Sequence, residues 1–494
     1  MLGGLTLLAA VLRFATLDLQ SLWSDEAVTI LLTRMDFTDM LRTISETEST
    51  PPFYYVVAWA WVRVFGDGEI GLRSLSALAG TMLVPVAYFA GRSLVGRRSG
   101  IATGAVVAVS PILVWYSQEA RSYMLAVLLC GISFAAFVLV TRGPTTTSLA
   151  VWVMASALAI GTHYFALFLI GAECVWLLAT RRPPSVVKGV AGVALVGGAL
   201  IPLALKQRSH GFAEFVGDAD GLAFRTVVIG KQLLVGPEIR GGRVLAAGAA
   251  ILLTVSIAFL ATRRGVVARR AVAVAAAVGA SAVVLPLRRA TVGLDYVNTR
   301  NLLMGFVPMA IVLTVGLAVV ASPPLGAAAL TLLAGILLTA SLVITLDPGS
   351  QRPNWRGLVR EIGEPDIRRA VVVTPDHQGW FARVALEIYL PEARALDGAY
   401  SSTPPAFTRL SRRVVDDSSP RRVVTREVVL AGVGWSLPEL SERLPRTFRR
   451  VEARSGIGYS FVRYRSARPV SIETATLAAP QSAVILVEPS TSGS

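Results

Sequence analysis

The side chains in this chain best suited to chemistry are carboxylates, and they come early and in pairs. Asp25 and Glu26 are adjacent in Trp23-Ser24-Asp25-Glu26, and Glu46 and Glu48 precede Pro51-Pro52. Neighbouring carboxylates suit a base that takes a proton from a hydroxyl while its partner holds a substrate or a cation; read blandly, the first pair is two solvated charges at the end of an apolar segment. Gln118-Glu119-Ala120-Arg121 sets a carboxylate beside a guanidinium. That combination can position a hydroxylated acceptor and a phosphate, since arginine offers a fixed fork of donors, or it is an ordinary ion pair on one helix. His163-Tyr164, Tyr54 in the aromatic run after the prolines, and Arg300 complete the candidate binding residues.

These groups are positioned by a chain that is 53% hydrophobic and only 16% charged, which marks a polytopic membrane protein. Stretches of roughly 20 apolar residues, the length that crosses a bilayer, recur to about Leu346 and then stop. The first, Leu2 to Leu17, lacks a basic start and a small-residue cleavage site, and reads as a retained span rather than a signal peptide. Net charge is +15, but the arginines cluster in short loops between apolar windows and no nucleic-acid motif accompanies them. They read as topology-setting charge beside anionic lipid. Cys130 and Cys174 lie inside apolar segments and carry no disulfide or metal spacing.

Placing Arg92/Arg97/Arg98, Arg142, Arg181/Arg182/Lys188 and Arg263/Arg264/Arg269/Arg270 in the cytoplasm gives about eleven crossings, with the N-terminus inside and the C-terminal region outside. Pro51 to Trp61 is too short and too rich in Tyr and Trp for a span, and reads as a helix lying along the interface. The helical spacing of Val28, Leu31, Leu32, Met35, Met40, Leu41 and Ile44 predicts a second interfacial helix over 27–44. On this map the candidate residues all emerge on the outer face. Arg288, Arg289 and Arg300 lie there against the inside-positive trend, and an anionic lipid phosphate would explain them. Residues 206–242, with Arg208, His210, Lys231, Glu238 and Arg240, form another large outer loop.

After Asp347-Pro348-Gly349 the pattern becomes that of a small α/β domain, 347–465. Strands are expected at Val371–Val373, Val428–Leu430 and Gly458–Tyr464, and helices at Trp380–Leu390 and Leu437–Leu444. The Ser/Thr/Ala/Pro-rich remainder, 466–494, reads as an unstructured tail.

The order SLWSDEAVT, ESTPPFYYVVAWAWVRVFGDGEIGLRSLSALAG, GRRSG, SPILVWYSQEARSYML and THYFALFLIG, continuous over about residues 18–175, resembles the polytopic GT-C glycosyltransferases. The similarity is greatest to the bacterial branch related to protein O-mannosyltransferases and the aminoarabinose lipid A transferase. The resemblance implies a GT-C membrane domain over 1–346. It also implies inverting transfer of a sugar from a polyprenyl-phosphate donor to a hydroxyl or amine of a cell-envelope glycan, lipid or protein, at the outer face of the cytoplasmic membrane. Asp25 would be the base, Glu26 its supporting carboxylate, and Glu46 or Glu48 the acid before the Pro-Pro pair. Gln118, Glu119 and Arg121 would line the cavity. No metal is demanded, although carboxylates of this fold class can hold a divalent cation. Two positions depart from the family: Thr50 stands where many relatives have His or Lys, and Arg300-Asn301 where Arg-Tyr is common. Two rival readings are a transporter or flippase of a lipid-linked sugar and a noncatalytic envelope-assembly protein. The first predicts midplane charges and paired broken helices. The second rests on a C-terminal domain with no catalytic signature.

Overall fold

The computed structural model describes residues 1–180, 183–209, 221–262, 266–318, 323–374, 385–386, 388–395, 422–433, 444–473, 477 and 484–489. Its helices in chain order are α1 (Leu2–Phe14), α2 (Ser24–Arg34), α3 (Phe37–Thr47), α4 (Phe53–Phe65), α5 (Glu69–Leu94), α6 (Arg97–Val109), α7 (Pro111–Ser117), α8 (Tyr123–Arg142), α9 (Thr146–Thr162) and α10 (Ala166–Thr180). These are followed by α11 (Pro184–Ala199), α12 (Ile201–Arg208), α13 (Leu222–Val235), α14 (Gly242–Thr262), α15 (Val266–Ala290), α16 (Thr299–Leu302), α17 (Phe306–Ala318), α18 (Pro323–Leu346) and α19 (Trp355–Ile362). The strands are β1 (Arg369–Thr374), β2 (Arg394–Ala395), β3 (Arg422–Val433), β4 (Arg449–Gly456), β5 (Tyr459–Glu473) and β6 (Val484–Glu488). The chain divides into two compact units, Met1–Leu17 with Phe37–Ser350, and Asp18–Asp36 with Gln351–Ser494.

The first unit is a helical bundle. Among its described residues, seven helices are long and apolar enough to cross a membrane, or eight if the bent pair α6/α7 counts as one span. The expectation of about eleven crossings depends on three shorter apolar helices, α1, α9 and α10. Helix α4, expected at the interface, has 13 residues and is about 20 Å long, against roughly 30 Å of hydrocarbon. Its C-terminus stops at Gly66, where a φ of 82° favours glycine, and Trp61 Nε1 reaches forward to Gly71 O and Ser74 Oγ at 3.1 and 2.9 Å. Helix α5 is the centre of the bundle and packs against α1, α6 and α8. Apolar side chains such as Leu195, Leu205, Val244 and Ile251 stay exposed on α11, α12 and α14, as expected of surfaces that meet lipid.

Helix α6 ends at Val109 because Pro111 disfavours helical geometry at the residue before it; Ser110 is extended, and α7 leaves at 54° to α6. The single interfacial helix expected over 27–44 is instead two, broken at Met35-Asp36, where Met35 is extended. Asp18–Asp36 belongs to the same unit as the C-terminal residues rather than to the membrane unit. The large loop expected at 206–242 contains α13; His210 lies outside the described residues.

In the second unit a six-stranded mixed sheet runs in the order β2-β6-β1-β3-β5-β4, with β1 and β3 parallel. The expected strands at 371–373, 428–430 and 458–464 fall on β1, β3 and β5. The tail expected to be unstructured is a correction: β5 continues to Glu473, and β6 pairs with both β1 and β2. Five residues of β6 pair with β1 and two of them also with β2, which outweighs the polar composition around them. Residues 385–386 and 388–389 are helical, whereas 375–384 and 434–443, which hold most of the two expected helices, lie outside the described residues.

The sheet carries a buried ion network. Arg369 is fully buried; its Nε donates to Glu488 Oε2 at 2.6 Å and its two Nη atoms donate to Ile362 O and Gly363 O, each at 2.7 Å. Glu427 accepts from Arg463 Nη1 at 2.9 Å and from Arg465 Nε at 2.5 Å. Removing one partner from a buried pair leaves an uncompensated charge. Glu488→Ala should therefore loosen this unit by about 3 kcal/mol. Limited proteolysis of the full-length protein would read the change as faster cleavage within 351–494, with the membrane unit unaffected.

Candidate active site

In the membrane unit, Glu48 and Arg121 form a buried pair, 3% and 7% exposed. Arg121 meets the carboxylate as a fork, Nη1 to Oε1 at 3.4 Å and Nη2 to Oε2 at 2.9 Å, and the Tyr55 hydroxyl donates to Oε2 at 2.5 Å. Burial holds the Tyr55 phenol well above its usual range, so it remains a donor. A carboxylate engaged this way fixes geometry. It ties the segment before the Pro-Pro pair to the segment after α7.

A second clasp holds the same segment. Buried Gln207 donates from Nε2 to Ile44 O at 3.1 Å and Thr50 O at 3.0 Å, and accepts from the Tyr164 hydroxyl at 2.8 Å. Every polar atom of this side chain is thus used, and the end of α3 with the loop that carries Glu48 is fixed to α12 and to the α9/α10 turn. Gln118, expected in the cavity, donates to Leu12 O at 3.2 Å and Thr16 Oγ1 at 2.7 Å, which attaches the end of α7 to the end of α1. Tyr54 is buried with its ring edge against Tyr55, Glu119 is buried, and Glu46 is half-buried on α3.

Beside these clasps is a cavity of about 300 Å³. Arg208, Arg289 and Arg300 line it, with Tyr123, His163, Tyr164, Tyr296, Asn298 and Asn301 as further polar groups, and Phe165, Phe168 and Leu205 on its apolar side. Among the described residues, none of those lining it is a carboxylate. Three guanidiniums with neutral donors and aromatic rings around one space have the chemistry to take an anion with an apolar appendage. Arg300 lies 5.6 Å from the centre of the Tyr123 ring and Arg289 lies 5.9 Å from that of Phe168, which restrains both heads at the wall.

His163 follows the last turn of α9 and is 3% exposed. Burial, with the charges of Arg300 and Arg121 adding to it, pushes its pKa down to about 3. The Phe165 N–H donates to Nδ1 at 3.3 Å, so Nε2 carries the proton and the ring is a neutral donor. Asn301 accounts for one departure from the family pattern: its Nδ2 donates to Tyr296 O at 2.7 Å, and its N–H donates to the Asn298 side chain at 3.1 Å, shaping the wall below Tyr296.

Asp25 and Glu26 stand in the other unit, at the start of α2. Glu26 is fully buried and its Oε2 accepts from the Trp23 N–H at 2.8 Å, closing the first turn of α2. The stretch before it is anchored to the chain that leads into α19. Ser21 Oγ donates to Pro353 O at 2.9 Å and accepts from Trp355 N–H at 3.0 Å, Arg356 donates to Asp18 O at 2.6 Å, and the Leu22 N–H donates to the Tyr389 hydroxyl at 2.7 Å. Glu26 therefore positions, while Asp25 remains half-exposed at the helix start.

Of the expected residues, the cavity gathers His163, Tyr164 and Arg300, and the buried pair uses Glu48 and Arg121. Sequence reasoning missed Gln207, Tyr55, Tyr123 and Arg208 as site residues. Arg289 had a signal, its outward placement against the charge rule. Among the described residues, no three His, Cys, Asp or Glu side chains group as a metal site.

Comparison with known proteins agrees with this architecture. A family profile described as dolichyl-phosphate-mannose-protein mannosyltransferase matches residues 49–205. The crystal structure of ArnT from Cupriavidus metallidurans bound to undecaprenyl phosphate is similar at a TM-score of 0.60 and 14% identity, covering 97% of this chain and 99% of that one. The apo structure of the same protein gives 0.58 and 15% over the same shares. No curated protein sequence matches the chain. The chain is a polytopic membrane protein that shares the fold of these ArnT structures. Within it, residues 49–205 carry the mannosyltransferase-like segment.

The depressed His163 pKa has a consequence for stability. An unfolded histidine takes up its proton near pH 6.5 and the folded one only near 3. The stabilisation it gives is complete above about 6.5 and is lost as pH falls toward 3, by up to about 1.4 kcal/mol per pH unit. Thermal unfolding in detergent at pH 7 and pH 5 should show a drop in midpoint that is smaller in His163→Gln. An equal drop would contradict the neutral, buried state of His163.

Proposed function

We propose that the protein transfers a hexose or pentose from a polyprenyl-phosphate donor to a hydroxyl or amine of a cell-envelope acceptor at the outer membrane face, with inversion at the anomeric carbon. The observation that supports this most is the cavity lined by Arg208, Arg289 and Arg300 with an aromatic and aliphatic side and, among the described residues, no lining carboxylate. It suits a lipid-linked phosphate, with an anionic head that carries one charge in the donor and gains a second on release, and an apolar chain. The similar ArnT structure with undecaprenyl phosphate is in keeping with that donor class.

In this reading Asp25 takes the proton from the acceptor. The acceptor oxygen or nitrogen then forms a bond to the anomeric carbon from the face opposite the phosphate. The bond from that carbon to the phosphate oxygen breaks, and the polyprenyl phosphate leaves with the electron pair. Arg300 and Arg289 hold the charge that develops on the departing phosphate, and the neutral His163 Nε2–H adds a donor. Glu26 fixes the turn from which Asp25 projects. Glu48 and Arg121 keep the Pro-Pro segment in register with the loop after α7.

Purified protein given polyprenyl-phosphate sugars and acceptor membranes should release polyprenyl phosphate in proportion to sugar transferred. A lipid-linked-sugar flippase would move the donor without consuming it. Asp25→Asn should lower turnover by about a hundredfold or more with donor binding retained, because it removes a proton acceptor with little change in shape. Full activity would remove Asp25 from the mechanism. Arg300→Ala should weaken donor binding by about ten- to a hundredfold, equivalent to 1.5–3 kcal/mol, with turnover at saturation less affected. Arg300→Lys should recover part of this, since it keeps the charge and loses the fork.

A further inference from the structure

Arg13 lies within the first apolar helix and is fully buried. Neither the proposed chemistry nor the cavity uses it, and an ionisable group at such a place needs a reason. Its partners supply one. Nη1 donates to Ala108 O at 2.8 Å and to Ala9 O at 3.2 Å, Nη2 donates to Val107 O at 3.0 Å, and Nε donates to Ser117 Oγ at 3.1 Å. Val107 and Ala108 are in the last turn of α6, where the Ser110-Pro111 break strands the final carbonyls without helical partners. A third stranded carbonyl, Val109 O, accepts from Ser341 Oγ of α18 at 2.8 Å. Ser117 is the last residue of α7, the short limb on the other side of the break.

One guanidinium therefore grips both limbs of the broken span. Immediately beyond Ser117 come Gln118, Glu119 and Arg121, and Gln118 is tied to the same helix as Arg13. Space around the grip is tight: a Cβ on Gly80 of α5 would stand 2.1 Å from Ser117 Oγ and 2.8 Å from Arg13 Nε. Only a residue without a side chain lets α5, Arg13 and α7 approach this closely.

We propose that Arg13 is a positioning residue that, through the broken span α6/α7, sets where Arg121 meets Glu48, and so acts on transfer without touching the substrate. Its planar fork satisfies two carbonyls on one limb and a hydroxyl on the other, which a lysine ammonium on a flexible stem cannot reproduce. A brace of this kind predicts a local effect: the segment after α7 should shift while the phosphate-binding wall stays intact.

The test uses full-length protein in nanodiscs, wild type against Arg13→Met, Arg13→Lys and Gly80→Ala. Three quantities are read: amide hydrogen exchange at 117–122 and at 163–166, affinity for undecaprenyl phosphate, and turnover in the transfer assay. Exchange at 117–122 should rise tenfold or more in all three variants, with 163–166 unchanged. Affinity for undecaprenyl phosphate should stay within twofold while turnover falls at least tenfold. Unchanged exchange at 117–122 would overturn the proposal. So would a rise shared equally by 163–166, or affinity that falls in step with turnover, since either makes Arg13 a general support of the fold. Should the Arg13 variants fail to fold, Gly80→Ala decides, and wild-type behaviour there rejects the brace. The turnover arm rests on the transfer activity proposed above and the exchange arm does not. An inactive wild type with the local exchange pattern would defeat the transfer reading and leave the brace standing.

Discussion

A guanidinium taken out of water must be met by oxygen, and the arrangement of this protein follows from how it meets that demand. Arg13 is met by the carbonyls of a broken span. Arg73, buried on α5, donates to Leu17 O at 2.7 Å and so fixes the chain just before it leaves the membrane unit. Arg121 is met by Glu48, and Arg369 by Glu488 and two carbonyls of the α19 end. Each of these places costs solvation that the local bonds must offset, which makes each a point where the backbone has little freedom. The cavity wall is the contrasting case. There Arg208 and Arg289 stay exposed and Arg300 is half-buried around an open space, so none of them carries the solvation cost of the four buried arginines.

The bundle also explains why reactive geometry can be built at the ends of its helices. Within a bilayer the backbone must bond to itself, so a break in a span is tolerated only where side chains replace the missing bonds. Arg13 and Ser341 do this for α6, and the freed limb α7 can then turn and carry Arg121 toward Glu48. Gln207 and Gln118 play the same part for the loops. Each is an amide whose donors are spent on backbone or hydroxyl oxygens of another segment. Polar clasps of this type hold position more sharply than apolar packing, because an unmade bond in a dry setting is costly.

The matched segment, residues 49–205, covers the prolines and helices α4 to α11, with Gln118 and Arg121, while their partners on α1 and at Glu48 lie before it and Gln207 lies after it. The second unit is of a different build: a mixed sheet with a dense arginine and glutamate network, and the stretch 18–36 with Asp25 and Glu26 folded into it. Ser21, Leu22 and Arg356 make that attachment through backbone bonds. The acidic pair is thereby held by the C-terminal chain, a link far apart in sequence that no local pattern announces.

The apolar windows and strands β1 and β3 were legible from residue type and period alone, because hydrophobic burial follows patterns set over a few neighbours. The charge rule also marked Arg289 and Arg300 as exceptions. Tertiary structure alone decided that Arg121 pairs with Glu48, that Gln207 is a clasp, and that residues near 484–488 complete a sheet. Those outcomes depend on partners 70 to more than 100 residues away, as in the separations of Glu48 from Arg121 and Arg369 from Glu488. A short polar side chain reads the same in sequence whether water or a distant carbonyl will satisfy it, and only the packed chain chooses between them.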